Sequence, residues 1–545
     1  MIWNSDITLT ANTIKNNRSN LFGGGIFIEI SSNVVFDSIL LNNVYLNFSQ
    51  IGTDICKYFE SVTNHIILDT ATVASLNDYY LYAMNSNMFP VTNNMTFEAV
   101  HGIVEQVNAD LYVNPDGDNN NSGLSIYQPL KTISYALAKI ISDSINNNTI
   151  HLSPGTYSSS LSGEKYPLCF KSNVPIIGSG REITILDAEN KINFGNIGRL
   201  QNELILKNFS FIRGNGHNMP FMYGGLWIDN IKKLVLDSLH FQYNRSYYQS
   251  CTSLNEIDSV FIKNCVFKNN RGISHMNVHN SFRKKDTYFS FVSNIYQNNY
   301  PDSTSDQSVA IVTSGLGYLV DDHGKIHGNL ISCLIADNES YNFSTRPTNS
   351  GILIVGNANT TLVNSTIGNN KIANQKGGAV LLAENANANL YNCVVFSNDI
   401  NQICLFDDEF YYLADSLFVY NSCIENGYQG IFDYGQYNFV FYDEATNTGK
   451  DPLWLNQGEF PYAISNSSPC LDAGTLNLPD DIELPQSDLA GNQRIWGATI
   501  DMGAYEWWPV DVEYNSTLNN VYETKLIAAP NPMSTSTNIM AKFGI

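Results

Sequence analysis

Charge is scarce in this chain. Only 15% of its 545 residues are Asp, Glu, Lys or Arg, against about 25% in ordinary globular domains. The charge present is lopsided, with 29 Lys and Arg against 51 Asp and Glu and a formal net charge of −22. Nucleic acid is excluded as a partner on that ground, because phosphate binding needs a basic face. The acidity itself reads as a means of solubility. Long apolar runs are also missing. No stretch reaches the roughly 18 residues of a membrane-crossing helix, so no transmembrane segment is expected. The first residues, Met1 to Asp6, lack a positive region ahead of an apolar core, so no signal peptide is read there. The nine Cys include no CxxC pair and no Cys/His spacing typical of zinc. Several read instead as small apolar fillers, with a Cys393–Cys423 disulfide as the alternative for one pair.

What is present is a repeat. Leu362-Val363-Asn364-Ser365-Thr366-Ile367 returns as Leu390-Tyr391-Asn392-Cys393-Val394-Val395, and Asn364 to Asn392 is 28 residues. Between them lies Gly377-Gly378 followed by the apolar Ala379-Val380-Leu381-Leu382. Kindred phrases are centred on Asn208, Asp237, Asn264, Asn294, Ser332 and Asn421. One long step, 38 residues from Asn294 to Ser332, marks an insertion. A fixed period of this length signals a repeat architecture. Each phrase alternates apolar and polar residues, so it is a strand and not a helix. About 28 residues leave room for three short strands and their bends at roughly 3.3 Å per residue. The expected fold is all-β: a parallel β-helix, three strands per coil, about 12 coils and roughly 60 Å long if coils stack at 4.8 Å. Identical side chains then lie above one another, with small apolar residues, Cys and Ser inside and Asn hydrogen-bonded in ladders at the bends. Stacking like charges is repulsive, which accounts for their scarcity.

The pattern divides the chain. Residues 1–55 read as the end of an upstream β-helix, because Ile7 to Ile28 already repeats the phrase and its glycine strand. Residues 56–108 lose the repeat and read as a β-rich connector or cap. Residues 109–508 form the main helix, with an N-terminal cap over 109–148. In that cap Pro129 is expected to open a helix at its first turn, with Leu130, Ile133, Leu137, Ile140 and Ile141 as one apolar stripe over the first coil. Residues 509–522 read as a linker and 523–545 as a truncated tail. Sequence is expected to be missing at both ends.

Tyr112-Val113-Asn114-Pro115, Gly123-Leu124, Pro129 to Ile133 and Ile150 to Tyr157 follow one another as loop, helix and first strand. In that order they resemble the opening of secreted right-handed parallel β-helix proteins, pectin-lyase-like in fold with a DUF1565-type N-terminal region. Ser468 to Gly474, Asp488 to Ile495 and Asp501 to Glu506 are similar to the closing segment of surface-anchored bacterial β-helix proteins of the choice-of-anchor type. Ala529 to Thr537 looks like the start of a type IX secretion sorting domain. The resemblance implies a monomer exported to, or released from, the outer-membrane surface of a bacterium, with polysaccharide or a cell-surface glycan as its partner.

Chemistry is less legible. A β-helix lyase needs a base, commonly Arg or Lys, beside a carboxylate that a cation neutralises. The 38-residue step offers Asp321, Asp322, His323, Lys325 and His327, with Arg283 as a second basic candidate; the plainer reading is a solvated loop. Lys284 and Lys285 complete the tightest basic triplet and could meet an anionic sugar. His217, Tyr223 and Trp227 could form a sugar-stacking patch or pack at an edge. Asp488, Asp501 and Glu506 around Arg494 could hold Ca²⁺, the one cofactor weighed, or form a salt-bridged end cap. The Asn-Thr-Asp and Arg-Ile-Lys runs of glycosidases in this fold are absent, which counts against hydrolysis. The favoured expectation is a binding protein without catalysis; a polysaccharide lyase using residues 318–328, or a structural stalk or adhesin, are the alternatives.

Overall fold

The computed structural model describes residues 1–509 apart from 21, 30–31, 50, 59–63, 75–79, 85–94, 199–201, 218–222, 281–284, 303–308, 316–323, 342–348, 373–376, 407–413 and 436; beyond 509 it describes 512–513, 525–526 and 539–540. Its body is a parallel β-helix with strands in three long sheets. Sheet 1 has 12 strands, from Leu111–Val113 to Phe439–Tyr442. Sheet 2 has 10, from Gly155–Ser158 to Cys423–Ile424, and sheet 3 has 10, from Leu168–Cys169 to Ile431–Asp433. The chain visits them in turn. In the central coil Ala358–Val363 lies in sheet 1, Thr366–Gly368 in sheet 2 and Gly378–Ala383 in sheet 3. Asn387–Tyr391 then returns to sheet 1 with Leu390 opposite Leu362.

Alternation builds these strands. In sheet 1 the row Leu206, Leu236, Ile262, Phe291, Leu330, Leu362, Leu390 and Val419 faces inward and is fully buried. The interior of sheet 2 holds larger groups than the small fillers expected. Phe211, Phe241, Phe267 and Tyr296 stack face to face, with centroids 5.1, 4.9 and 4.7 Å apart. Rings repeat well at the coil spacing because each is offset above the next.

Two left-handed positions turn each coil. The first row, between sheets 1 and 2, is Asn208, Ser238, Asn264, Ser293, Ser332, Asn364, Asn392 and Asn421, with φ between 43° and 61°. The register sets Lys207 opposite Asp237, so Ser238 and not Asp237 holds the bend. Likewise Ser293, not Asn294, is the turning residue. The second row, between sheets 2 and 3, includes Tyr243, Asn269, Asn298, Asp337 and Asn369. Directly after it comes a buried ladder: Asn244, Asn270, Asn299, Asn338, Asn370 and Asn398. From Asn270 to Asn398 each Oδ1 accepts the backbone N–H of the Asn one coil earlier at 3.0–3.1 Å, and Asn244 Oδ1 accepts the Gly214 N–H at 2.7 Å. Each Nδ2 donates to a strand carbonyl, such as Asn299 to Phe267 at 2.9 Å. Buried amides are tolerable here because every valence is met.

Residues before 108 form a smaller set of parallel sheets. The repeat fades from the sequence after Cys56, yet Asn64–Ala71 pairs with Asn42–Tyr45 and with Met95–Gly102, and Leu81–Met84 with Ile55–Tyr58, all parallel. Between this core and the main one stands a short helix, α1 (Ile133–Lys139). Ile133, Ala136 and Leu137 enter the main core, while Tyr135 packs against both. The helix does not open at Pro129. Leu130 is held in a bridge to Val113, and Thr132 caps the helix by accepting the Tyr135 N–H at 3.3 Å. The buried Glu164 carboxylate accepts the Ile133 and Ser134 N–H groups at 2.6 and 3.0 Å. First-turn donors without intrahelical partners explain that arrangement.

All nine Cys are free thiols. Cys423 lies opposite Val394, and the Cys393 N–H meets Ser422 Oγ at 3.0 Å, so Cys393 and Cys423 are not partners across the coils. Residues 443–508 fold back over sheet 2. There the outward positions Leu334, Ala336, Val394 and Phe396 are buried against Tyr462, Ile464, Met502 and Tyr505. Ala504 N–H donates to Thr366 Oγ1 at 2.9 Å, and Tyr462 Oη to Asp337 Oδ1 at 2.7 Å. Within this closing segment Asp488, Asp501 and Glu506 gather round Arg494, and all four are buried. Three buried carboxylates share one guanidinium. Burial, reinforced by Asp501 beside it, pushes Glu506 up to about 8, and burial pushes Asp501 up to about 6.

Two outcomes follow from this packing. Asn299→Ala strips the N–H and Nδ2 of Asn270 and the Phe267 carbonyl of their partners, and should cost about 3–5 kcal/mol by thermal or denaturant unfolding. Asn387→Ala, on the outer face, should stay within about 0.5 kcal/mol. The raised carboxylates set a pH dependence. Their folded values lie above their unfolded ones, so the stability they give is complete below about pH 4 and is lost as pH rises through about 6 and then about 8. Limited proteolysis of residues 443–508 should therefore speed up from pH 5 to 9, and Glu506→Gln should flatten the upper part of that rise.

Candidate functional site: an open face of sheet 1

The outward side of sheet 1 changes character along the solenoid. In its early strands, Glu203–Lys207, Lys233–Asp237 and Ser259–Lys263, charges pair across coils. Lys233 meets Glu203 at 2.6 Å, and Lys207 and Lys263 approach Asp237 at 3.8 and 3.5 Å. Opposite charges suit stacked strands because directly opposed like charges repel. From Thr287–Val292 onward the outward positions are aromatic, amide, hydroxyl or aliphatic, with His327 the one titratable group other than tyrosine.

A groove of about 470 Å³ opens at this change. Its floor and walls come from Phe261, Tyr288, Phe289, Ser290, His327, Gly328, Asn329, Asn359 and Thr361, with Asp481 reaching in from the closing segment. Tyr288 stacks on His327 with centroids 5.6 Å apart, and both sit at equivalent outward positions of adjacent strands. His327 Nε2 lies 3.8 Å from Asp286 Oδ2. Asn329 Nδ2 donates to Asp481 Oδ2 at 3.4 Å, which ties the closing segment to the sheet. Gly328 is needed because a Cβ there would lie 2.4 Å from the Phe289 ring. The Asn359 Oδ1 is buried and has no partner.

Beyond the groove the face continues past Asn387 and Asn389 to a cluster of rings. Tyr391 stacks on Tyr420 at 5.0 Å, Tyr420 meets Phe441 at 5.2 Å and Phe418 meets Phe439 at 5.4 Å. Phe439 is 52% exposed and Tyr288 55%, large values for rings held on a rigid sheet. Such rings present flat apolar faces, while the amides between them offer donors and acceptors. That combination is chemically suited to a molecule with both apolar faces and hydroxyl edges.

Of the described residues singled out from sequence, His327 of the 318–328 loop lines the groove and the others do not. Asp321, Asp322, His323, Arg283 and Lys284 lie outside the described residues. Lys325 follows them, and its N–H donates to Asp286 Oδ1 at 2.8 Å. Lys285 Nζ is drawn to Asp258 Oδ2 at 2.5 Å, in a cross-coil ion pair. Tyr223 and Trp227 do come together, stacked at 5.6 Å, but at sheet 3, where Trp227 lies in the strand Leu226–Asp229. His217 turns instead to Asp302 at 2.8 Å and to the Tyr247 ring. Asp488, Asp501 and Glu506 accept backbone N–H groups. Asp488 takes those of Ala490, Asn492 and Glu506, Asp501 those of Asp472 and Trp507, and Glu506 those of Trp496 and Asp501. Among the described residues no group of three or more His, Cys, Asp and Glu is placed to hold a metal ion.

Sequence reading passed over Tyr288, Asn329, Asn359, Thr361 and Phe418, and weighed His327 only as a member of the 318–328 loop. The signal lay in the same repeat: polar slots of the alternating phrase filled by rings and amides rather than charges.

No family model matches the chain, and no curated protein matches it. Among solved structures it is similar to the pectate lyase Pel9A, with 14% identity and a TM-score of 0.33 over 74% of this chain and 97% of that one. It is also similar to a rhamnogalacturonan lyase, with 12% identity and a TM-score of 0.31 over 58% of this chain and 87% of that one.

Proposed function

We propose that this chain is a secreted or cell-surface β-helix protein that binds polysaccharide on the open face of sheet 1 and performs no chemistry on it. The observation that carries the reading is the run of exposed rings and amides from Tyr288 to Phe441 on one rigid sheet. A pyranose offers an apolar face to a ring and hydroxyls to amides, and stacking contributes about 0.5–1.5 kcal/mol per ring beyond area burial. Rings fixed on strands lose little freedom on binding, which favours affinity. Hydrolysis by paired carboxylates finds no support on this face, whose described strands present no Asp or Glu from Thr287 to Tyr442 on the outer side.

The finer features implied by resemblance belong to the same proposal. They are right-handed winding, a DUF1565-type opening with 109–148 as its cap, export to the outer-membrane surface, a linker over 509–522 and a sorting tail over 523–545, in a monomer. The test is retention of the purified chain by immobilised polysaccharides and on a glycan array. The wild type should be retained by at least one polysaccharide without releasing unsaturated product. Joint Tyr288→Ala and Phe418→Ala should weaken retention about tenfold or more. Absence of binding to every glycan, or retention untouched by the ring substitutions, would overturn the reading.

A further inference from the structure

We infer that the polysaccharide held on sheet 1 is uncharged, and that its chain runs across the strands, along the solenoid axis. This inference rests on the binding reading above and narrows it to a substrate class.

The argument is one of charge and repeat. Six strands, from Thr287–Val292 to Phe439–Tyr442, present no Lys, Arg, Asp or Glu on their outward side. The three strands before them carry outward charge at Glu203, Lys207, Lys233, Asp237 and Lys263, in cross-coil pairs. Both halves obey the same stacking rule, so the fold does not impose the change. A uronate polymer carries one carboxylate per acidic sugar. Binding it needs cations on the face, or acidic clusters that hold bridging Ca²⁺. Among the described residues the outward side of these strands supplies neither, and the groove wall contributes the exposed carboxylate of Asp481. With a net charge of −22 the rest of the chain adds long-range repulsion.

What the face does supply suits neutral sugars. Ser290, Asn329, Thr361 and Asn389 occupy one outward row, one residue per coil. Phe261 precedes that row and Phe418 follows it. The side-chain amides of Asn387 and Asn389 take no protein partner, unlike the buried ladder on the far side of the coil. Coils recur at about 4.8 Å, close to the advance of one pyranose along an extended glycan. A chain lying along the axis can therefore meet one polar side chain per sugar and a ring at each end. A chain lying along a strand would meet two or three outward residues and then leave the face.

Affinity electrophoresis separates this inference from the reading it depends on. The full chain is run through gels holding galactomannan, xyloglucan or mixed-linkage β-glucan, and through gels holding polygalacturonate or alginate with and without Ca²⁺. At least one neutral polymer should retard it, equally at low and high salt, with uronate polymers binding at least about tenfold more weakly. Asn389→Ala should weaken neutral binding severalfold. Asn389→Lys should add salt-sensitive binding to polygalacturonate. Circular dichroism and unfolding midpoints confirm that both variants fold. Uronate binding by the wild type equal to or tighter than neutral binding would overturn the uncharged class and leave polysaccharide binding standing. Failure of every polymer to retard the chain would remove both. Loss of neutral binding in neither Asn389 variant would overturn the placement on this face.

Discussion

Backbone hydrogen bonding between successive coils, in parallel and in register, is the constraint on which everything else in this molecule depends. It fixes what can lie above what. A buried amide is costly alone, yet in a column each Asn is both donor and acceptor to its neighbours, so the row from Asn244 to Asn398 is satisfied throughout. Rings benefit in the same way, and the stack from Phe211 to Tyr296 is nearly parallel by its last pair, at 2°. Charges do not, unless they alternate in sign from coil to coil as Glu203 and Lys233 do. The low charge of the chain, its wealth of Asn and its internal aromatic column are three results of one geometry.

That geometry explains which parts of the fold could be read beforehand. The central coil was legible because strand, left-handed Asn and glycine strand recur at almost constant spacing. The register was legible only to within a residue. Asp237 and Asn294 resemble the turning residue chemically, but Ser238 and Ser293 hold the positive φ, since a bend needs tolerance of left-handed backbone and a short polar side chain of several kinds provides it. Residues 56–108 were legible as β-rich but not as stacked coils, because few coils stack there and no column of like residues exposes the pattern. Proline at 129 suggested a helix start. The Val113–Leu130 bridge takes that residue's neighbour first, and Thr132 with Glu164 satisfies the helix three residues later.

The candidate site was less legible, for a physical reason. Motifs for chemistry are sought as clusters of titratable residues, and clusters such as Asp488, Asp501 and Glu506 with Arg494 proved to lie inside the closing segment, bonded to backbone N–H groups. A binding face on a solenoid is not a cluster in sequence. Its members come one per coil, about 28 residues apart, and each looks ordinary in its own strand. Tyr288 and Phe418 become conspicuous only when the register sets them on the same side of one sheet and the closing segment is seen to cover sheet 2 and leave sheet 1 open.

The two outer faces show how a repeating scaffold assigns different tasks to equivalent surfaces. On sheet 2 the outward positions of the late coils turn apolar, and residues 443–508 cover them; Gly368 even makes room for the Trp454 ring, which would lie 2.6 Å from a Cβ. On sheet 1 the same coils turn outward with rings and amides that stay partly exposed, although Ile331 and Val363 beside the bend are buried and Asp481 reaches the rim. An apolar surface that the fold itself buries stabilises the closing segment. Rings left half exposed gain only their cross-strand stacking, and the amides beside them add little, because water already meets those amides. Under the proposed function their arrangement matches a ligand with apolar faces and hydroxyl edges repeating at the spacing of the coils.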